Sequence, residues 1–388
     1  MVLITRIKYG VISLLVLSLG CTGISKKNEI KQIRIKERPL EIVKEIDTFK
    51  IAPMPLMDFS YPDELYVQDD SVLIFKSMFE KHKIFFFNLA SNYPIKTVEI
   101  EDFIVKNRNI TNIIPLENDR IFLILNPNTE LLIIDHQGQV IKSWKDLTNN
   151  LDNSSSPEIS IQANFGFQKN QFDSERMLLY SIISQGGDFD FLARNDEPRF
   201  GIFDLKDEKW IIKHTNNQGR LANKKDSQVY FYDMHIPYQY TLNDTTYLTF
   251  AIDEFVYLTK TETGQMISRF NSFPDESIFI PEPIEYDPVN DKTEKLRRST
   301  DYFGPFYYHE RAEIFSRWYR KNDDKGAIRF NLFDRDFNLI DQFILDEENL
   351  WSAIPTSNGY LIKFSPTAIK SEKDTVKILH MKFNMQTK

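Results

Sequence analysis

The densest group of side chains able to recognise a ligand lies between residues 302 and 320: Tyr307, Tyr308, His309, Arg311, Arg317, Trp318, Tyr319 and Arg320. Arg317 is the expected anchor of a binding set completed by Tyr307, His309, Arg311 and Trp318. A guanidinium pairs carboxylate or phosphate through parallel N–H donors while its plane stacks on aromatic rings. The competing reading of the same residues is packing between layers, with the arginine satisfied by an internal salt bridge. In a strand, side chains alternate between faces, so at most half of this set can point toward any one surface.

Catalytic patterns are not found elsewhere in the sequence. His82, His136, His214, His235, His309 and His380 are scattered singly, with no His-Glu-x-x-His or other compact zinc motif. Asp188 with Asp190 and Asp287 with Asp291 offer oxygens of the kind calcium takes, but neither pair fits a defined loop, and acidic turn residues account for both. There is no Gly-x-Ser-x-Gly elbow, and Gly186-Gly187 lacks the lysine and helix of a phosphate loop. No cofactor and no metal are expected, and no catalytic residue is assigned.

The only cysteine in 388 residues is Cys21, which excludes a disulfide framework and a thiolate metal cluster. Ahead of it stand Arg6 and Lys8 and an apolar run from Val11 to Leu19, too short for the roughly 20 residues that span a bilayer, so residues 1–20 read as a signal peptide. Leu17-Ser18-Leu19-Gly20-Cys21 resembles the lipobox of bacterial lipoprotein precursors, with Ser18 departing from the usual leucine. The resemblance implies cleavage before Cys21 and attachment of membrane lipid to it. Acyl chains contribute about 0.8 kcal/mol per buried methylene, and more than one gives stable anchoring. Thr22 in the next position is compatible with transfer to the outer membrane in lipoproteins of this type, so the expected location is the cell envelope.

Loss of residues 1–20 removes two positive charges and takes the net charge from -8 to -10. An acidic body repels phosphate backbones, and the small basic groups at Lys224-Lys225 and at Lys295, Arg297 and Arg298 are isolated, so nucleic acid is not an expected partner.

Such residues need a scaffold, and the chain supplies a repeated one. It holds 31 Phe and 17 Tyr and lacks long stripes of helical period, a composition for strands. A short apolar strand, a polar turn and a second strand recur at 84–88 with 97–100, 131–135 with 140–144, 200–204 with 210–212, 255–259 with 266–270 and 330–334 with 339–345, and a sixth copy begins at 376. Upstream of each lies another strand pair. The first strands of most copies are apolar without strict alternation, as suits a sheet covered on both faces. These units predict an all-β, six-bladed β-propeller of four-stranded antiparallel blades over residues 39–388. The sixth unit lacks a fourth strand, and residues 41–51 are expected to supply it and close the ring. Residues 21–38, polar and lysine-rich, then form a tether. A β-sandwich is the alternative architecture.

The chain resembles the uncharacterised lipoprotein propellers of Gram-negative bacteria, related in fold to the six-bladed TolB-like group. The stretch that carries the resemblance is Tyr302-Phe303-Gly304-Pro305-Phe306-Tyr307-Tyr308-His309-Glu310-Arg311 with Ile314-Phe315-Ser316-Arg317-Trp318-Tyr319-Arg320, and Ser316 stands where tyrosine is expected. The resemblance implies fold and location, not an activity.

In such a ring the loops after second and fourth strands share one face. The longest insertions, 145–160, 184–199 and 271–301, all fall there, and an elaborated loop face is where a ligand or partner is expected. The expected function is a non-catalytic binding or scaffolding propeller in the envelope, its partner a protein, peptide or glycan. A propeller enzyme, hydrolase or lyase, acting on an envelope or nutrient polymer is the alternative. In a third reading, the apolar loop 273–283 docks to another chain of an outer-membrane assembly.

Overall fold

The computed structural model describes residues 40–51, 66–68, 71–76, 82–89, 93–105, 109–126, 130–145, 159–161, 170–185, 198–215, 219, 228–229, 237–274, 278–280, 282–285, 301–321, 327–345, 350–364 and 376–387. Cys21, the signal and tether segments, Asp188, Asp190, Asp287, Asp291 and the basic groups at 224–225 and 295–298 lie outside them.

The strands form six antiparallel blades. The first comprises Tyr66–Gln68, Val72–Lys76, Lys83–Asn88 and Tyr93–Glu99; the second Asn109–Pro115, Ile121–Asn126, Glu130–Ile134 and Val140–Trp144. In the third, Ile159–Ile161 and Gln171–Asp173 both pair with Leu178–Gln185, followed by Pro198–Asp204 and Lys209–Thr215. The fourth is Tyr238–Leu242, Thr245–Thr249, Phe255–Lys260 and Met266–Asn271. In the fifth, Tyr302–Phe303 and Tyr307–His309 share the partner Ile314–Arg320, ahead of Ile328–Phe333 and Leu339–Leu345. The sixth is Leu350–Thr356, Gly359–Phe364 and Val376–Thr387, completed by Leu40–Ile51, which pairs with Val376–Thr387 in unbroken register from Leu40 with Thr387 to Ile51 with Val376. The predicted closure by an N-terminal strand is the one observed, and the sandwich alternative is excluded.

The continuous apolar runs follow from burial on both faces of a blade. In the second blade Ile121, Leu123 and Leu125 turn toward the first blade with Leu132 and Ile134, whereas Phe122, Ile124, Leu131 and Ile133 turn toward the third. Outermost strands have one open side and are more exposed: Val140, Ile141, Lys142 and Ser143 all face solvent, and only Trp144 is buried. Trp144 donates its indole N–H to the carbonyl of Leu205 at 2.8 Å, joining the second blade to the third.

Two local devices recur. At the turn between third and fourth strands an aspartate ends the third strand, and its Oδ1 accepts main-chain N–H groups ahead of it: Asp135 from Gln137 and Gln139, Asp204 from Lys206 and Asp207, Asp334 from Asp336 and Asn338. Such a carboxylate mimics a main-chain turn and sets the hairpin without help from distant residues. Just beyond, the pairing of third with fourth strand slips by one residue in each of the first five blades. The skipped residue is an isoleucine each time: Ile95, Ile141, Ile211, Ile267 and Ile340. A bulge there bends the outer edge away from straight pairing geometry, which protects an exposed sheet edge from association.

Candidate functional site

The strand Ile314–Arg320 is buried along nearly its whole length, and its alternation sorts the expected binding residues onto opposite sides. Phe315, Arg317 and Tyr319 point toward the fourth blade; Ser316 and Trp318 point toward the sixth. The strand therefore works as a two-sided rivet between blades.

Arg317 is fully buried. Its Nε donates to the carbonyl of Gly304 at 3.0 Å, Nη1 to the carbonyl of Phe255 at 3.2 Å and to Ser272 Oγ at 2.9 Å, and Nη2 to the carbonyls of Phe250 at 2.9 Å and Asp253 at 2.8 Å. All five N–H donors of a guanidinium are thereby used. The expected stacking is also present, with the guanidinium carbon 4.9 Å from the ring centre of Phe303. Burial pushes the pKa of Arg317 down to about 10, opposed by the nearby Asp253 carboxylate, so the group is charged at neutral pH. Arg317 serves the carbonyls of the turn 250–255 in the fourth blade and leaves no donor for an anion.

Beside it, Asp253 accepts from the main-chain N–H of Phe255 at 3.0 Å and from the hydroxyl of Tyr257 at 2.7 Å. Burial raises the Asp253 pKa above the ordinary carboxylate value; the hydrogen bonds and the Arg317 charge oppose the rise. Gly219, at φ +61°, lies directly against this pair, and a Cβ there would collide with the carboxylate and the phenol. None of Asp253, Tyr257, Ser272 or Gly219 was singled out by the sequence reading, and the residue spacing around Arg317 contains no signal for them.

The other expected residues are dispersed. His309 is buried, with Nδ1 2.8 Å from the carbonyl of Thr356 and Nε2 2.6 Å from Ser316 Oγ. A carbonyl only accepts, so Nδ1 carries a proton; a neutral imidazole then accepts from Ser316 at Nε2, which leaves the Ser316 oxygen to accept from the hydroxyl of Tyr360. This is the donor order of a serine–histidine pair, but Ser316, His309 and Tyr360 all have 0 % exposure and hold the fifth blade to the sixth. Ser316, at the position where the resemblance leads to tyrosine, meets the hydroxyl of Tyr360 across the seam. Trp318 donates to the carbonyl of Ala353 at 3.2 Å, and Tyr307 is half-buried with its ring 4.7 Å from that of Tyr240. Arg311 is exposed in the short turn between first and second strands, on the face opposite the long loops, and its main-chain N–H donates to the carbonyl of Ser357 at 2.9 Å. The five residues do not share one surface.

The loop face holds a different arrangement. The connection 272–301 lies between the fourth and fifth blades, and its Ile284–Glu285 pairs with Gln228–Val229 of the connection 216–237 as a short antiparallel ladder. Phe273 is buried against Phe303 and Tyr319, with Ile278 and Ile280 packed on the same cluster. That half of the predicted apolar loop is therefore seated on its own propeller. Phe279 faces outward, 61 % exposed. Its main chain is held on both sides by Asp301: the Phe279 N–H donates to Asp301 Oδ2 at 2.7 Å, and the Asp301 N–H donates to the Phe279 carbonyl at 3.1 Å. Tyr319 Oη donates to the same carboxylate oxygen at 2.7 Å.

Among the described residues no group of three or more His, Cys, Asp or Glu is arranged to hold a metal ion, and no helix is long and apolar enough to cross a membrane. No family model and no curated protein matches the chain. Solved structures share its fold. A member of the DUF4221 family from Bacteroides vulgatus superposes with a TM-score of 0.63 at 12% identity over 90% of this chain and 99% of that one. A putative exported protein from Bacteroides fragilis does so with a TM-score of 0.51 at 11% identity, over 87% and 95%.

Proposed function

We propose that this chain is an exported lipoprotein, anchored through lipid on Cys21, whose propeller is a non-catalytic binding or scaffolding module of the cell envelope and presents its long-loop face to an envelope protein, peptide or glycan. The observation that carries the reading is Phe279: a large apolar side chain at 61 % exposure on a loop whose main chain is clamped at that residue by Asp301. An exposed aromatic on a held backbone has little conformational entropy left to lose on binding, which is how contact area becomes affinity. The signal-like residues 1–20, the cysteine after Gly20 and the fold shared with a putative exported protein support the envelope location. Leu40 pairs with Thr387, at the short-turn end of the closing strand, so the chain enters the propeller on the side away from the long loops. A lipid upstream of Leu40 leaves the loop face directed outward from the membrane.

Two measurements on the full-length chain in cells test this. Metabolic labelling with a fatty acid should mark the protein and be abolished by Cys21→Ser, which should also release it from the membrane fraction; an unlabelled wild-type protein would refute the anchor. Photo-reactive residues at Lys145 and Lys321 on the loop face should give discrete adducts, and residues at Glu313 and Asp336 on the short-turn face should not. Adducts from the second pair alone would reverse the assignment of the binding face.

A further inference from the structure

We infer that Phe279, Glu282 and Glu285 form a docking ridge on the loop face for a protein groove that joins an apolar pocket to basic side chains; the inference rests on the loop-face reading above and names its partner's chemistry. Among the described residues of this segment, Phe279, Glu282 and Glu285 face solvent, whereas Ile278, Ile280, Pro283 and Ile284 are partly buried.

Both ends are tied down. Phe279 is held through its main-chain N–H and carbonyl by Asp301, and Ile284–Glu285 pairs with Gln228–Val229. Ile278 and Ile280 rest on Phe273, Phe303 and Tyr319, three buried aromatics with ring centres 4.9 to 5.4 Å apart. The ridge therefore presents one aromatic knob and two carboxylates in fixed order with little ordering left to do. The exposed Phe279 ring fits an apolar pocket, and charge complementarity assigns basic residues to the part of that groove facing Glu282 and Glu285. A polyanion, such as nucleic acid or an acidic glycan, is the occupant this surface repels.

The test uses the full-length chain in cells, with a photo-reactive residue in place of Phe279 and, separately, of Lys145. The inference expects a protein adduct from position 279 whose cross-linked peptide lies beside lysine or arginine in the partner. It also expects the Glu282→Lys, Glu285→Lys double variant to lower the adduct yield at least about fivefold. These two side chains are exposed, so the double variant should melt with the wild type, and that measurement separates lost docking from lost folding. An adduct indifferent to the charge reversal, an adduct at a neutral or acidic peptide, or an adduct with lipid or glycan overturns the ridge. Adducts from Lys145 with none from position 279 overturn it while leaving the loop-face reading intact; adducts from neither position overturn both.

Discussion

Replacement of Arg317 by methionine tests whether this arginine is a structural clamp or a ligand anchor. Methionine keeps much of the stem volume and removes all five donors from the carbonyls of Phe250, Asp253, Phe255 and Gly304 and from Ser272 Oγ, although Phe250 keeps the Asp253 N–H and Ser272 its bond to the Glu254 carbonyl. It also leaves Asp253 buried without its cationic neighbour. Hydrogen bonds to a charged group contribute about 1.5–3 kcal/mol each but do not add, and breaking one partner out of a buried charged set costs about 3–5 kcal/mol. A loss of about 4 kcal/mol is expected, which at about 2 °C per kcal/mol for a domain of this size lowers Tm by roughly 8 °C. Lysine restores the charge but offers three donors from one nitrogen, so Arg317→Lys should recover about half of that loss. The assay is thermal unfolding of the purified protein followed by circular dichroism. A methionine variant melting within about 1 °C of wild type would refute the clamp. If Arg317 instead bound an anion, added phosphate would raise the wild-type Tm and leave the methionine variant unchanged.

Ser316→Ala removes the hydroxyl that His309 and Tyr360 both use and should cost about 1–3 kcal/mol in urea unfolding, while Ser316→Tyr forces a second phenol against Tyr360 and should cost at least as much. Gly304→Ala drives a methyl into the Trp318 ring and should lower stability by about 1–3 kcal/mol; an unchanged midpoint would show that the indole can move. Because burial raises the Asp253 pKa, its contribution to stability is complete below the ordinary value of 3.8 and is lost as pH rises through the folded-state pKa. Relative to wild type, Asp253→Asn should therefore cost less as pH increases across that window, and a cost independent of pH would contradict the assignment. At alkaline pH the phenols of Tyr240, Tyr257 and Tyr360 are held above the ordinary value of 10.0 by burial, and Tyr247 is pushed up to about 12. Folding is then progressively destabilised above pH 10, and ultraviolet titration should show these tyrosines ionising together with unfolding rather than before it.

What was legible in the sequence was whatever is encoded within one hairpin. Asp135, Asp204 and Asp334 end their strands in turns that their own carboxylates build, so the repeat is visible locally. The two-sided burial of 121–125 and 131–134 shows as unbroken apolar runs for the same reason. Arg317 was legible as unusual but not as a clamp, because three of its five acceptors are main-chain carbonyls of another blade, 62 to 67 residues away, and a carbonyl has no residue identity to read. Phe273 and Phe279 are both phenylalanines six positions apart in one loop. Only the contacts of one with Phe303 and Tyr319, and the clamp on the other from Asp301, separate foundation from knob.

The ring's closure also has a mechanical side. The strand Leu40–Ile51 lies antiparallel to Val376–Thr387, and its first residue is the one nearest the lipid on the proposed reading. Tension between membrane and propeller would then pull Leu40 along the strand axis. The ladder's hydrogen bonds run perpendicular to that axis, so such a load is shared by every rung at once instead of opening them one after another. The same seam makes completion of the ring the last step of synthesis: Leu40–Ile51 has no partner until Val376–Thr387 has been made.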